Sequence, residues 1–419
     1  MGDRKSILHL TAAVAGGNYY AMAMHLIAGI VIGRYVAPEI LGKFSAFGLV
    51  LGYVPFLQVG VLNGLNRELP YYVGKGEQDK VMSLAAAGQF WACLVGGVVA
   101  VALLCLALWN AFQGNWEDVT GWGVYAFLCF LLFYNTYYLQ MTYRTSHDFA
   151  RLAISKVFES TVSVLLIVLA VWWGFYGLCV KALMVAIVSF GILYYWRPIH
   201  VLPKWNFAEI AHLFKIGCPI FFVGQIYAYW MVILSSVLLA TLGKEGLGLY
   251  TIVTMSITAV DTVPIAIGQI IYPRMAQEWG RESSVRGLIR AAYKPILYSF
   301  VGMIPFLVVA TICVSPAIRF LIPKYVDAIP ATQWGIWTAL IACLAPINNV
   351  FNVVRRQLLY LIAILVGMGA TFLSLHFLVS ETPTLVAFSQ ALLIGKCVFI
   401  VICGIFIYKI YRQDSIVGR

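Results

Sequence analysis

The main pattern along the chain is a succession of apolar runs, separated by short polar connections that are rich in arginine and lysine. Most runs are about 20 residues long, the length that an α-helix needs to cross the hydrocarbon core of a bilayer. The runs lack the period of two that is typical of membrane-spanning β-strands. Because only helices and closed barrels satisfy every backbone hydrogen bond inside lipid, the pattern predicts an all-α polytopic membrane protein.

About twelve spans are predicted from these runs, and the fifth and sixth are separated only by a tight turn near Gly174 and Gly177. The predicted spans cover residues 8–33, 41–65, 82–109, 120–143, 154–175, 177–196, 214–242, 247–273, 295–318, 331–353, 357–379 and 384–409. No connection between them is long enough for an extramembrane domain. Because the number of spans is even, both termini are expected on the same side of the membrane.

Composition and charge agree with a membrane protein. Hydrophobic residues make up 62% of the chain and charged residues 11%, whereas a soluble protein carries about 25% charged residues. The net charge of +11 would suggest a nucleic-acid partner in a soluble protein. Here 21 of the 28 lysines and arginines lie in the predicted connections or at the adjoining span ends on the side of the termini, and five on the other side. This asymmetry predicts cytoplasmic termini and makes nucleic-acid binding unexpected.

The two halves of the chain resemble each other at an offset near 207 residues. Residues 17–21 (GNYYA) correspond to residues 224–228 (GQIYA), and residues 41–44 (LGKF) correspond to residues 247–250 (LGLY). Because each half contains six spans, both halves enter the membrane the same way up, which is a parallel repeat. We therefore expect an N-terminal six-helix lobe (1–200) and a C-terminal six-helix lobe (201–419) around a central cavity. Since one chain supplies both lobes, it is expected to work as a monomer.

One stretch resembles a known family. Residues 41–44 (LGKF) and 60–76 (GVLNGLNRELPYYVGKG) resemble polysaccharide-biosynthesis membrane proteins, the Wzx-type O-antigen flippases of the multidrug/oligosaccharidyl-lipid/polysaccharide (MOP) exporter superfamily. The twelve-span plan and the repeat extend this resemblance over the whole chain. The resemblance implies a transporter that moves undecaprenyl-pyrophosphate-linked oligosaccharide from the cytoplasmic to the periplasmic leaflet of a bacterial inner membrane. It further implies that spans one, two, seven and eight line the cavity, and that a polysaccharide polymerase and a chain-length regulator act beside it.

A pyrophosphate headgroup requires cationic and amide side chains in place of the water that it loses. Lys181 and Lys396 fall inside predicted spans, where a charge is costly, so we expect them to bind the pyrophosphate or an acidic sugar; the alternative is that they snorkel to the interface. Arg34 at the outer end of span one is expected to meet the headgroup on release. Arg67, together with Asn63, is expected to meet it at the cytoplasmic mouth. Ordinary helix-end anchoring is the alternative for both arginines.

Coupling and gating have their own candidates. Asp261 is an acid near the middle of span eight, which suits a coupling proton or sodium ion; a structural hydrogen bond is the alternative. Pro55 and Pro264 lie in spans two and eight and are expected to interrupt these helices and let them bend. No other cofactor is expected, and the nine cysteines have no metal-ligand spacing.

Sugar recognition is expected from amide, hydroxyl and aromatic side chains on spans one and seven. The residues are Asn18, His25, Gln225 and Tyr229, with Tyr20 and Tyr227 beside them. The alternative is that the amides join neighbouring helices and that His25 is a packing residue. Among other functions, a cation-coupled multidrug or small-molecule exporter of the same superfamily stays open. A polymerase, ligase or glycosyltransferase is disfavoured because no outside loop is large enough for a catalytic site and because the two halves are duplicated. No nucleotide-binding loop of the GxxxxGK(S/T) type is present, so ATP is not expected to drive transport within this chain.

Overall fold

The computed structural model describes residues 2–146, 148–282, 284–354, 356–379 and 384–417. These residues are almost entirely helical and include no strand, which confirms the all-α fold. Eight of the described helices are long and apolar enough to cross a membrane, or nine if the bent pair Pro323–Ala342 and Ala345–Val353 counts as one span. The protein is therefore a multi-pass membrane protein.

The chain divides into two compact units, Met1–Val232 and Ile233–Arg419. The first unit contains α1 (Gly2–Tyr35), α2 (Pro38–Tyr53), α3 (Val61–Lys75), α4 (Gln78–Phe112), α5 (Trp116–Leu131), α6 (Gln140–Thr145), α7 (Phe149–Leu165), α8 (Ile167–Tyr195) and the first part of α9 (Phe207–Glu282). The second unit contains the rest of α9, α10 (Val285–Leu321), α11 (Ile329–Gly335), α12 (Thr338–Ala342), α13 (Asn349–Val353), α14 (Gln357–Val379) and α15 (Leu385–Val417).

The helices α8 and α9 are each interrupted at one glycine. Gly174, within α8, has φ 55° and ψ −120°, a conformation that side-chain-bearing residues rarely adopt. A Cβ on Gly177 would overlap the carbonyl oxygen of Leu169, eight residues earlier, which shows that the chain reverses here. The predicted turn between spans five and six is therefore present. Gly243, with φ 68° and ψ −169°, breaks α9 between the predicted seventh and eighth spans.

The second span is broken as well. After α2 the backbone forms a 3-10 segment, Val54–Gln58, which includes Pro55. Val59 and Gly60 then adopt left-handed φ values of 44° and 85° before α3 begins. The indole nitrogen of Trp91 donates a hydrogen bond to the carbonyl of Gln58 at 3.2 Å, so the break does not leave that carbonyl unpaired.

Pro264 behaves differently from Pro55. The backbone of α9 stays helical through Pro264, and its non-helical residue is Gly243, 21 positions earlier. The interruption predicted at Pro264 is therefore absent from this structure. Proline is tolerated in membrane helices where neighbouring groups satisfy the freed carbonyl, so its presence in span eight did not require a break.

The predicted fourth span contains a π-helical segment, Leu132–Leu139, between α5 and α6. Wider turns of this kind occur mostly as single bulges inside α-helices, frequently at functional sites. The segment directs Tyr134, Asn135 and Tyr138 into the interior of the first unit, where all three are buried. Around them lies the apolar core of this unit, which includes Leu62, Leu65 and Leu84.

Candidate functional site

An aromatic face lies where the broken second span meets the first part of α9. We define it as Tyr53, Phe56, Phe222, Gln225 and Tyr229. The Tyr229 hydroxyl donates a hydrogen bond of 2.8 Å to the Tyr53 carbonyl, and the Gln225 side chain hydrogen-bonds Tyr229. The Phe56 ring lies 5.9 Å from the Tyr229 ring and 5.8 Å from the Phe222 ring, between centroids.

This face is only half covered by the first unit. Tyr53 is 39% exposed and Phe56 is 40% exposed, so both rings are open to whatever occupies the adjoining space. Rings of this kind can cover the apolar face of a sugar, while an amide and a hydroxyl beside them bond to its hydroxyl groups. Of the predicted sugar-binding residues, the structure thus brings Gln225 and Tyr229 together. It adds Tyr53 and Phe56, which the sequence analysis missed because the break in the second span turns them toward α9.

The remaining predicted sugar-binding residues lie on α1, except for Tyr227, which lies on α9. His25 is exposed, and the side chain of Asn18 lies outside the part of the chain that the structure describes. Tyr20 contacts α7, where its hydroxyl lies 2.9 Å from the Thr161 hydroxyl. Tyr227 packs edge-on against Trp230, with ring centroids 6.2 Å apart.

A chain of polar side chains crosses the interior of the first unit. The Asn135 amide donates to the Ser189 hydroxyl at 3.2 Å, and Ser189 donates to a carboxylate oxygen of Glu159 at 3.0 Å. Beside them, Gln89 donates to the Tyr134 hydroxyl at 2.8 Å. We call Glu159, Ser189 and Asn135 the polar chain. It connects α7, α8 and the π-helical segment.

The polar chain and the neighbouring residues Gln89 and Tyr138 have unused hydrogen-bonding capacity. Among the described residues, the Asn135 Oδ1, Gln89 Oε1 and Tyr138 hydroxyl are buried and have no hydrogen-bond partner. Glu159 was not singled out from the sequence, although it is an acid within the predicted fifth span and that signal was available. In the described part of the chain, no three His, Cys, Asp or Glu residues are grouped in a way that could hold a metal ion.

The second unit brings together two residues that were predicted separately. Asp261 on α9 lies within electrostatic range of Lys396 on α15. The Oδ1 atom of Asp261 is buried and has no hydrogen-bond partner among the described residues. Opposite charges inside a membrane protein stabilise each other, because neither finds water there. Among the described residues the two do not form a salt bridge, so Lys396 lies near an acid without being ion-paired to it.

Lys181 has a different environment from Lys396. It lies on α8, seven residues after the reversal at Gly174, and is half-buried. The described residues place no acidic side chain within ion-pairing distance of it. An amine without a partner at this depth can snorkel to the interface or bind an anion.

The two predicted arginines lie at helix ends. Arg34 is exposed in the last turn of α1, where a cation also interacts favourably with the helix dipole. Arg67 is exposed on α3, one turn after the half-buried Asn63 and on the same face. The neighbouring residue Glu68 contacts His212 on α9 at 3.1 Å.

Comparisons with solved structures identify the fold. The inward-facing conformation of a multidrug resistance MATE family transporter of the MOP superfamily matches with a TM-score of 0.79 and 15% identity, covering 95% of this chain and 96% of that chain. The outward-facing conformation of such a transporter matches with a TM-score of 0.66 and 16% identity, covering 97% and 96%. A MOP superfamily transporter from Pyrococcus furiosus, described as having a binding pocket of reverse polarity, matches with a TM-score of 0.66 and 15% identity, covering 97% and 96%.

At these identities the likeness shows the fold alone, which is that of MOP superfamily transporters. No curated protein has significant similarity to the chain. A family model described as polysaccharide biosynthesis protein matches residues 77–330, which is more than half of the chain. The matched region includes the polar chain, the Gln225 and Tyr229 part of the aromatic face, and Asp261. The chain therefore belongs to the polysaccharide biosynthesis protein family.

Proposed function

We propose that this protein is a flippase that moves undecaprenyl-pyrophosphate-linked oligosaccharide from the cytoplasmic to the periplasmic leaflet of a bacterial inner membrane. The observation that carries the proposal is the half-exposed aromatic face, with its amide and hydroxyl groups, in a polysaccharide biosynthesis chain that has an exporter fold. Sugars combine apolar ring faces with many hydroxyl groups, and the aromatic face offers a counterpart to both. The protein has both termini in the cytoplasm and acts as a monomer.

The physical task is to take a charged, hydrated headgroup through hydrocarbon while its polyprenyl tail stays in lipid. In this proposal Arg67 and Asn63 meet the pyrophosphate at the cytoplasmic mouth, Lys181 and Lys396 bind it within the membrane, and Arg34 meets it on release. The two six-helix lobes (1–200 and 201–419) rock about the site by alternating access. The oligosaccharide then passes to a polymerase and a chain-length regulator.

Asp261 is our candidate for the coupling proton or sodium ion. Its buried and unpartnered Oδ1 supports this role, since an ion or a proton would supply the missing contact. Lys396 lies within electrostatic range of the same carboxylate. Binding of the anionic headgroup by Lys396 would therefore loosen its interaction with Asp261 and leave this carboxylate free to take up a cation.

The test uses purified full-length protein in liposomes that contain a fluorescent polyprenyl-pyrophosphate oligosaccharide. A membrane-impermeant quencher reports how much of the label reaches the outer leaflet with time. Wild type should expose the label rapidly, and Phe56→Ala should slow the exposure by about 10-fold, since it removes a half-exposed ring. The matched control is Phe127→Ala, because Phe127 on α5 is 38% exposed but does not belong to the aromatic face.

A multidrug or small-molecule exporter is the second candidate, and the in-span acid Asp261 is the observation that favours it, since organic cations require acidic partners. The same liposomes distinguish the two. Failure of wild type to expose the oligosaccharide, together with efflux of a cationic dye under a proton or sodium gradient, would replace the flippase proposal by this one.

A further inference from the structure

The second and seventh spans cross in the first unit with almost no side chain between them. Gly60 and Gly64 at the start of α3 face Gly217 on α9. A Cβ on Gly64 would overlap the carbonyl oxygen of Leu213, and a Cβ on Gly60 would lie 2.7 Å from the Cα of Cys218. Small residues at this spacing let two membrane helices approach backbone to backbone. We call Gly60, Gly64 and Gly217 the glycine crossing.

Two polar contacts flank the glycine crossing at the same end of the spans. One turn beyond Gly64, the Glu68 carboxylate lies 3.1 Å from Nε2 of His212 on α9. At the start of α9, Glu209 accepts two hydrogen bonds from the Lys80 ammonium, at 2.7 and 2.9 Å. Ser83 donates a further hydrogen bond to Glu209 at 3.2 Å. These contacts fasten α9 to α3 and to α4.

Both carboxylates depend on these partners. Glu68 is 7% exposed and Glu209 is 8% exposed, although each lies at a span end where charged groups are usually solvated. A buried carboxylate that loses its partner is destabilised unless water reaches it. At a span end, water can reach both groups once the helices separate. The contacts are therefore stable while the helices lie together, and water would replace them if the helices separated.

We propose that this assembly is a releasable clasp, which holds the seventh span to the second and third spans and breaks and re-forms in each transport cycle. The clasp consists of the glycine crossing, the Glu68–His212 contact and the Lys80–Glu209 contact. It rests on the proposed function, in which alternating access separates the lobes 1–200 and 201–419. Spans two and seven belong to different lobes of that repeat, so their contact must open when the lobes part at this end.

The composition of the clasp suits repeated opening. Glycines separate without any side chain changing its rotamer, whereas interlocked large side chains would have to rearrange. The polar contacts set the register of the two helices on closing, because each joins one specific pair of positions. Loss of either polar contact should shift the clasp toward its open form, and a methyl group at Gly64 should shift it further.

Cys218 can report whether the clasp is open, since it follows Gly217 of the glycine crossing, contacts Gly60 and is half-buried. The experiment measures the rate at which N-ethylmaleimide labels Cys218 of the full-length protein in lipid nanodiscs, by peptide mass spectrometry. Cys105 and Cys313, which are exposed on other helices, serve as references in the same sample. Glu68→Gln and His212→Gln should each raise the Cys218 rate by about 5-fold. The double variant should exceed the single ones little, because both remove the same contact.

Gly64→Ala should raise the rate more than either polar variant. If it fails to fold, Glu68→Gln and His212→Gln decide the question alone. The matched control is Asp118→Asn, which removes a contact of 3.2 Å with Lys43 away from the clasp and should leave the rate unchanged. If the labelling rate of Cys218 stays at the wild-type value in both Glu68→Gln and His212→Gln, the clasp proposal is wrong.

Labelling requires no substrate, so the clasp and the flippase proposal can fail separately. An unchanged Cys218 rate in a protein that still flips the oligosaccharide would remove the clasp and leave the flippase. A raised Cys218 rate in a protein that does not flip the oligosaccharide would keep the clasp and assign it to a transporter of another solute.

Discussion

The hydroxyl of Tyr229 donates a hydrogen bond to the backbone carbonyl of Tyr53, 176 residues earlier in the chain, at 2.8 Å. This contact ties the aromatic face to the point at which α2 ends and the second span breaks. The hydrogen bond also holds the Tyr229 ring beside the Phe56 ring, with 5.9 Å between the two centroids.

Tyr229→Phe should keep the ring and lose the hydrogen bonds to Tyr53 and Gln225. We expect the initial flipping rate in liposomes to fall by about 2- to 10-fold, the range that corresponds to a net hydrogen bond. Tyr176→Phe is the matched control, since Tyr176 on α8 is 41% exposed and lies outside the aromatic face. Equal rates for Tyr229→Phe and Tyr176→Phe would mean that this hydroxyl does not order the site.

Ser189→Ala should remove the link in the polar chain and leave Asn135 and Glu159 without their common partner. Because Asn135 and Ser189 are buried, we expect a loss of about 1–3 kcal/mol in the free energy of unfolding. Thermal unfolding in detergent measures it. Ser374→Ala is the control, because Ser374 bonds only carbonyls of its own helix among the described contacts. A loss no larger than that of Ser374→Ala would contradict a stabilising polar chain.

Asp261 and Lys396 in the second unit should show coupling in a double-mutant cycle. Lys396→Ala alone leaves the Asp261 carboxylate without its compensating charge, whereas adding Asp261→Asn removes that charge too. We therefore expect the double variant to unfold at a higher temperature than Lys396→Ala. Strictly additive effects would show that the two charges do not stabilise each other. Lys181→Ala serves as a comparison, because no acidic side chain among the described residues loses a neighbouring positive charge in that variant.

Gly174→Ala should destabilise the reversal between the fifth and sixth spans. Alanine at φ 55° and ψ −120° is strained, and we expect a cost of about 1–3 kcal/mol in the free energy of unfolding. Gly191→Ala on the same helix is the control, because an added Cβ there meets no atom within 4 Å. That control should be neutral or slightly stabilising, since alanine favours helix. If both variants unfold alike, the backbone at Gly174 is not the constraint that we infer.

The sequence predicted the helical runs and the turn at Gly174 well, because both depend on local signals. Apolar length specifies a span, and two close glycines between apolar runs permit a reversal. The polar chain could not be predicted in the same way. Ser189 lies 30 residues after Glu159, and only the packing of α7 against α8 reveals that they meet. The π-helical segment that brings in Asn135 has no recognised signal in the apolar pattern.

The two prolines illustrate the same limit. Pro55 and Pro264 occupy corresponding places in the repeat, yet the backbone is interrupted at the first and stays helical at the second. A proline removes one donor from a helix, but neighbouring helices decide whether the chain must bend there. In the second span the left-handed backbone at Val59 and Gly60 accompanies the break. Residue type alone could not predict that difference.

The break at residues 54–60 gives one span two sets of neighbours. Before the break, α2 packs against α5 and α8, while after it α3 packs against α4 and α6 and crosses α9 at the glycines. A continuous helix would transmit a tilt at one end to the whole span. Here the break separates the two segments, so α3 can move away from α9 at one membrane surface while α2 keeps its packing at the other. The second span would then consist of two segments that move independently about residues 54–60. Motion at one leaflet need not disturb the packing at the opposite leaflet.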